Sequence, residues 1–337
     1  QDSLAGLPHQ LCFAVKANAN LAILDILKQA GCGFDAVSGG ELERLLALHV
    51  DTKTIILSGV GKRDDEIDAA LKHHVLYICA ESLEEIQAIA ERAQAHGCRA
   101  PVTIRVNPDV DAQTHPYIST GLRENKFGVP IEDAHALCTQ FREHPYVQIV
   151  GVSCHIGSQV TSLAPFMDAG MRMKNLVQSL QQSGIALRYV GMGGGVGISY
   201  TGGEEPLSLQ QYGHAIKQLF GETGLTLVLE PGRVIVGNAG ILLARIVRMK
   251  RGAQRTFMLL DAGMNDLLRP ALYEAHHMLL PVQQRAAGTK LLPYDVVGPV
   301  CESSDTFAKD EMLPADMATG EFVAFRSAGA YGSVMAS

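Results

Sequence analysis

The sequence predicts a parallel (β/α)₈ barrel, the TIM-barrel architecture, followed by a second, mainly β domain. Three observations carry this. Eight apolar or β-branched runs recur, near residues 11–15, 33–37, 54–57, 75–79, 102–106, 149–154, 187–190 and 226–229. Amphipathic stretches with a 3.6-residue period lie between them, including 21–30, with Leu21, Leu24 and Leu27 on one face, then 83–96 and 166–183. After Asn238 the alternation stops, and strand-like runs at 240–248, 255–260, 294–297 and 321–325 are separated by turn-rich loops with little helix.

Near-continuous hydrophobic strands are buried on both faces, and helices between them can supply that cover only if the strands run parallel. Eight such units fit a (β/α)₈ barrel, for which ~250 residues is typical; a doubly wound sheet is the competing topology. The expected division is a barrel over residues 1–238 and a β domain over 239–337, incomplete at its end.

With 47% apolar and 19% charged residues the chain is a folded globular protein rather than a disordered one. A net charge of −7 without a basic cluster argues against nucleic acid as a partner. No apolar stretch approaches the ~20 residues that span a bilayer, which argues against a membrane protein. The seven cysteines are odd in number, scattered and free of C-x-x-C pairs, which suits free thiols in a reducing, cytoplasmic setting. The chain starts at Gln1 and stops at Ser337 within an ordered-looking segment, so trimming at both ends is expected, with an upstream targeting peptide left open.

Four short segments follow apolar runs and carry chemistry. Phe13-Ala14-Val15-Lys16-Ala17-Asn18 offers an amine just past the first strand, where a barrel-top lysine points into the site. Desolvated there, Lys16 is suited to condense with an aldehyde as a Schiff base; alone it reads as a surface lysine. Ser153-Cys154-His155-Ile156-Gly157-Ser158 offers a flat imidazole, His155, able to stack on an aromatic cofactor, and a hydroxyl, Ser158, for a phosphate. Gly193-Gly194-Gly195 follows the seventh strand, where close backbone approach aims N–H groups at an anion. It lacks the last glycine of the dinucleotide fingerprint G-x-G-x-x-G, and by itself it is a flexible turn. Glu230-Pro231-Gly232-Arg233 offers a carboxylate that could keep a pyridine nitrogen protonated, and a guanidinium for a phosphate or carboxylate; alone, the two read as an internal salt bridge. Together the four read as a pyridoxal phosphate site.

On these segments the chain resembles the diaminopimelate decarboxylases, in the alanine-racemase-fold (fold type III) group of pyridoxal phosphate enzymes. The match is collinear from Cys12 to Ser337. It includes Asp261-Ala262-Gly263-Met264-Asn265, Arg269-Pro270-Ala271-Leu272-Tyr273, Val297-Gly298-Pro299-Val300-Cys301-Glu302-Ser303-Ser304-Asp305 and Ala328-Gly329-Ala330-Tyr331-Gly332. The resemblance implies that Lys16 bonds the cofactor and that His155 stacks on its ring. Ser158 and Gly193, Gly194 and Gly195 hold the phosphate, Glu230 meets the ring nitrogen, and Gly232 lies in the cofactor loop. Arg233, Arg269 and Tyr273 bind substrate, and Tyr331 touches substrate and cofactor. Cys301 (proton donor) and Glu302 (substrate contact) enter the site from the partner subunit of a homodimer with shared active sites. By a looser analogy Arg105 contacts the cofactor; an internal salt bridge is the equal alternative. The implied reaction is decarboxylation of meso-2,6-diaminopimelate to L-lysine and CO₂, the last step of lysine biosynthesis. The resemblance also implies that the β domain draws strands from both chain ends.

Three alternatives remain at this level: a decarboxylase of the same fold acting on ornithine, arginine or carboxynorspermidine; a racemase, which would set an arginine rather than Glu230 against the ring nitrogen; and a non-catalytic cofactor-binding homologue, which would not need Cys301. His73-His74 reads as a polar helix end. His276-His277 has no third ligand at metal-binding spacing, and no metal is expected.

Overall fold

A computed structural model of the chain describes residues 1–111, 126–203 and 205–337. They fold as two compact units: Gln1–Gly197 with Leu207–Gly232, and Ile198–Pro206 with Arg233–Ser337.

In the first unit eight parallel strands close into a barrel: β1 (His9–Ala14), β2 (Gly33–Ala36), β3 (Ile55–Leu57), β4 (Tyr77–Ala80), β5 (Ala100–Asn107), β7 (Val147–Cys154), β8 (Tyr189–Gly191) and β9 (Thr226–Leu229). A two-residue strand, β6 (Val129–Pro130), adds to the end of β5. Closure is made by Gln10 of β1 opposite Val228 of β9, and by Ile78 of β4 opposite Val102 of β5. Each of the eight strands overlaps one of the apolar runs expected from sequence. The reason is visible in β2 and β3, whose residues are all buried, so both faces had to be apolar. Cys12, Ile56, Tyr77, Cys79, Val150 and Val228 come from five strands and fill the barrel interior. Helices cover the outside, and several begin with side-chain caps. Ser38 accepts from the Glu41 N–H ahead of Gly39–Ala47, and Ser82 does the same from Glu85 ahead of Leu83–Ala95.

The second unit is a six-stranded sheet of β10 (Leu242–Arg251), β11 (Thr256–Leu260), β12 (Leu279–Pro281), β13 (Leu291–Val297), β14 (Thr306–Pro314) and β15 (Phe322–Phe325), in the order β12-β15-β10-β11-β13-β14. All pairs are antiparallel except β11–β13. Its core joins Ile246, Met258, Leu260, Val296, Phe307, Val323 and Phe325, with the Phe307 and Phe325 rings 4.7 Å apart. Burying each of these side chains is worth ~1.5–3 kcal/mol, so one apolar face suffices to hold the sheet. Strands β12 and β14 were not expected from sequence. β12 has three residues. β14 loses its alternation where Lys309 and exposed Asp310 interrupt it, with Asp310 in the left-handed region (φ 52°) and the pairing to β13 shifted in register.

Candidate active site

Barrel chemistry belongs at the C-terminal ends of the strands, and the first unit gathers its polar groups there. Lys16 lies in a 3₁₀ turn, Val15–Ala17, directly after β1. Its Nζ is 2.8 Å from Oδ2 of Asp35, a fully buried carboxylate in β2. Burial alone would raise the Asp35 carboxyl; the Lys16 ammonium outweighs this and holds it below the usual range. Sequence reasoning missed Asp35. An acid in the otherwise apolar stretch Gly33-Phe34-Asp35-Ala36 was the available signal.

Arg105, on β5, donates to Glu81 across 3.0 Å, and the other Glu81 oxygen takes the Gly128 N–H at 3.0 Å. This is a nearly buried ion pair, so the Arg105 charge is already matched inside the protein.

His155 follows β7. The Gly194 N–H points at its Nδ1 (3.2 Å), so Nδ1 accepts and the proton of the neutral ring sits on Nε2. Burial, with Arg105 and Lys16 adding to it, pushes His155 down to about 3, so the ring is neutral at any working pH. Gly193 and Gly195 adopt φ of 62° and 98°. Added Cβ atoms would lie 2.7 Å from His155 Nδ1 at Gly193, 2.2 Å from the Glu230 carbonyl at Gly194 and 2.3 Å from the Gly157 carbonyl at Gly195. Glycine is therefore dictated by packing against two neighbouring strand-end loops. The Gly193 and Gly195 carbonyls accept from the Glu230 and Val160 N–H groups, which turns the loop's carbonyls into the protein. Ser158 lies on the same loop as His155, partly buried.

Glu230 follows β9. Its carboxyl has no hydrogen bond or ion pair among the described residues. Burial, then the neighbouring Asp35 charge, push it up to about 8 against the opposing pull of Lys16 and Arg105. Gly232, buried, ends the unit.

The second unit holds a different cluster. Arg233 opens a short helix, Arg233–Val236, and Arg269 opens another, Arg269–Tyr273; both side chains are buried. Tyr200 joins them. Its hydroxyl accepts from Arg233 at 2.5 Å, and its ring centroid lies 4.5 Å from the Arg269 guanidinium. The Arg233 guanidinium also lies 4.8 Å from the Tyr331 ring, and Tyr331 sits at φ 54°, a strained conformation for a bulky residue. Burial, with Arg233 nearby, lowers Arg269 to about 10, still charged at neutral pH. No carboxylate pairs with Arg269 among the described residues. Tyr273 ends its helix, partly buried. Sequence reasoning missed Tyr200; it follows the glycine triplet, and no local motif marks it.

Cys301 and Glu302 lie exposed on the loop between β13 and β14. Asp305, buried, shapes that loop: its two carboxylate oxygens accept from the Val300 and Met264 N–H groups, each at 2.7 Å. A Cβ at Gly298 would lie 2.3 Å from one of those oxygens, so only glycine fits there.

Known proteins resemble this chain in sequence and fold. The family model for the pyridoxal binding domain of pyridoxal-dependent decarboxylases matches residues 1–237. The diaminopimelate decarboxylase of Pseudomonas aeruginosa is 49% identical over 336 residues, covering 100% of this chain and 80% of that protein. The crystal structure of diaminopimelate decarboxylase from Helicobacter pylori complexed with L-lysine superposes with a TM-score of 0.95 at 42% identity, covering 100% of this chain and 83% of that one. The M. jannaschii diaminopimelate decarboxylase in co-complex with L-lysine gives 0.92 at 37% identity, over 98% of this chain and 77% of that one. Likeness at this level, over the whole chain and in both units, settles the family: the chain belongs to the diaminopimelate decarboxylases.

Proposed function

We propose that this protein decarboxylates meso-2,6-diaminopimelate to L-lysine and CO₂ with pyridoxal 5′-phosphate as cofactor. The observation that carries the reading is Glu230. A half-buried carboxyl with no hydrogen bond or ion pair among the described residues, pushed up to about 8 where a barrel binds ligands, is the counterpart a pyridinium N–H requires. A racemase reading would call for a cation there. The donor set fits the rest of the cofactor: an amine in Lys16, a neutral imidazole face in His155, and a Gly193–Gly195 cradle too tight for any Cβ.

Pyridoxal phosphate, when bound, supplies an aldehyde that captures amines and a protonated ring that accepts the electron pair left by CO₂. Lys16 is the residue to hold the aldehyde carbon, and Asp35 balances its ammonium when the amine is released. His155 covers one ring face without adding charge. Ser158 and the backbone of the Gly193–Gly195 and Gly232 loops hold phosphate, with the Gly194 N–H turned to His155 instead. Arg105, committed to Glu81, acts on the cofactor through its field. Arg233, Arg269, Tyr273 and Tyr331 bind substrate, Arg269 taking the carboxylate that the product L-lysine retains. A substrate lacking that carboxylate leaves a buried guanidinium without its partner, costing ~1–3 kcal/mol or more.

Cys301 and Glu302 serve a second subunit, with Cys301 Sγ delivering the proton that replaces CO₂ and Glu302 meeting the distal ammonium. Their exposure on one loop supports a homodimer with shared sites. Apart from Tyr331, the cofactor residues thus fall within 1–238, and the partner-directed loop lies within 239–337. All seven cysteines are free, and no helix among the described residues is long and apolar enough to cross a membrane; the reading sets the reaction in the cytoplasm, on a small-molecule substrate and without nucleic acid.

The test is competition. With the loaded protein, meso-diaminopimelate should release CO₂ at least ~100-fold more efficiently than L-ornithine or L-arginine. Equal or greater release from either of those would move the reading to another decarboxylase of this fold.

A further inference from the structure

The pair His276-His277 finds no use in the chemistry above, yet the structure buries one of them completely. His277 is 1% exposed and sits between the helix Arg269–Tyr273 and β12. Its Nδ1 lies 2.9 Å from the Arg326 carbonyl oxygen and its Nε2 lies 2.7 Å from a terminal nitrogen of Arg269. A carbonyl can only accept and a guanidinium can only donate. Both contacts are satisfied by one form of the ring alone, neutral, with its proton on Nδ1 and a bare Nε2. An imidazolium would set an N–H against an N–H.

Tyr200 completes the arrangement. Its ring meets the His277 ring edge-on, with centroids 5.0 Å apart and planes at 78°, and presents its face to the Arg269 guanidinium at 4.5 Å. Arg269 is thus held on one edge by an uncharged nitrogen and on one face by a π-system. A carboxylate in either place would hold the guanidinium equally well but would cancel its charge. Arg269, Arg233, His276, the Tyr200 ring and the Arg326 carbonyl act on His277, and none of these five is anionic. Burial and these cations push His277 down to about 4, consistent with the neutral ring the hydrogen bonds demand.

We propose that His277, backed by Tyr200, is a positioning residue for substrate recognition: as the neutral Nδ1–H tautomer it aims Arg269 while leaving that guanidinium's full charge for the carboxylate the product retains. The inference rests on the reading of Arg269 given under the proposed function, and deepens it.

The test uses the cofactor-loaded protein and two ligands that differ in one group, L-lysine and 1,5-diaminopentane, which lacks the carboxylate. Equilibrium binding is measured for wild type, His277→Asn and His277→Gln. The glutamine amide oxygen can reach the place of Nε2 and accept from Arg269; asparagine is too short. Wild type should prefer L-lysine. His277→Asn should weaken L-lysine binding by about tenfold or more while leaving 1,5-diaminopentane within about twofold, and His277→Gln should recover most of the loss. In steady state the same variant should raise KM for the substrate with kcat nearly kept. The ¹⁵N spectrum of histidine-labelled wild type should show His277 as the Nδ1–H tautomer from pH 5.5 to 8. Preference for L-lysine that survives His277→Asn, equal weakening of both ligands, or an Nε2–H or charged ring would overturn the inference alone. A wild type that binds the two ligands equally would overturn the reading of Arg269 itself, and this inference with it.

Discussion

The two units treat buried charge in opposite ways. In the barrel unit the two site cations are matched internally, Lys16 by Asp35 at 2.8 Å and Arg105 by Glu81 at 3.0 Å, and the site group left over is a carboxyl, Glu230. In the second unit Arg269 is held by Tyr200 and His277, neutral groups, and the surplus there, among the described residues, is positive. Each surplus names its ligand: a cationic N–H for the first, a carboxylate for the second. An ionisable group shielded from water is costly to hold charged without a counter-charge, so leaving one in place makes sense where a ligand of opposite sign completes it.

The largest effect should come from removing the group that bonds the cofactor. Lys16→Ala is expected to cut turnover by at least ~10³-fold, read as CO₂ release, because no other amine lies among the site residues. Next, Arg269→Met should raise KM for the substrate by ~10–100-fold with kcat less affected, since it removes an interaction made equally in ground and transition states. If kcat falls instead while KM holds, the second unit is doing more than holding the carboxylate.

Two carboxyl variants sharpen the contrast within the barrel unit, because their folded pKa values move in opposite directions. Asp35 lies below its unfolded value, so it contributes stability above about pH 4 that is lost as pH falls through its folded pKa. Asp35→Asn should therefore lower cofactor-free stability at pH 7, by ~1–3 kcal/mol given that Lys16 is partly exposed, as measured by urea unfolding. Glu230 lies above its unfolded value, at about 8, so its contribution is fully present below about pH 4 and is lost as pH rises through 8. Glu230→Gln should make the cofactor-free protein more stable than wild type at pH 8.5 and remove that slope, while lowering turnover of the loaded enzyme. The smallest effect concerns His155: held at about 3, it should contribute no step near pH 6 to 7 in the pH–rate profile, and its ring should report no titration between pH 5 and 9 by NMR.

Much of the fold was legible because parallel barrel strands are buried on both faces and so read as unbroken apolar runs. Strands buried on one face were less legible, and those at the sheet edge least: β14 carries Lys309 and Asp310 at its register shift, and three-residue β12 is shorter than any periodicity can register. In the site, residues that follow a strand directly, such as Lys16, His155 and Glu230, could be placed from the sequence. Their supporting partners could not. Asp35, Glu81, Tyr200 and His277 meet their partners across 19, 24, 33 and 8 residues, and none of those spacings is a motif. The glycine triplet was legible as a close approach, but what makes glycine obligatory there is the backbone of two other loops, which only the folded chain brings near.

The most direct single measurement is the product balance of the protein loaded with pyridoxal phosphate and given meso-diaminopimelate, with CO₂ and L-lysine quantified together. The account predicts one L-lysine for each CO₂ over many turnovers. Cofactor bound to Lys16 with no CO₂ released, or CO₂ released without matching L-lysine, would contradict it.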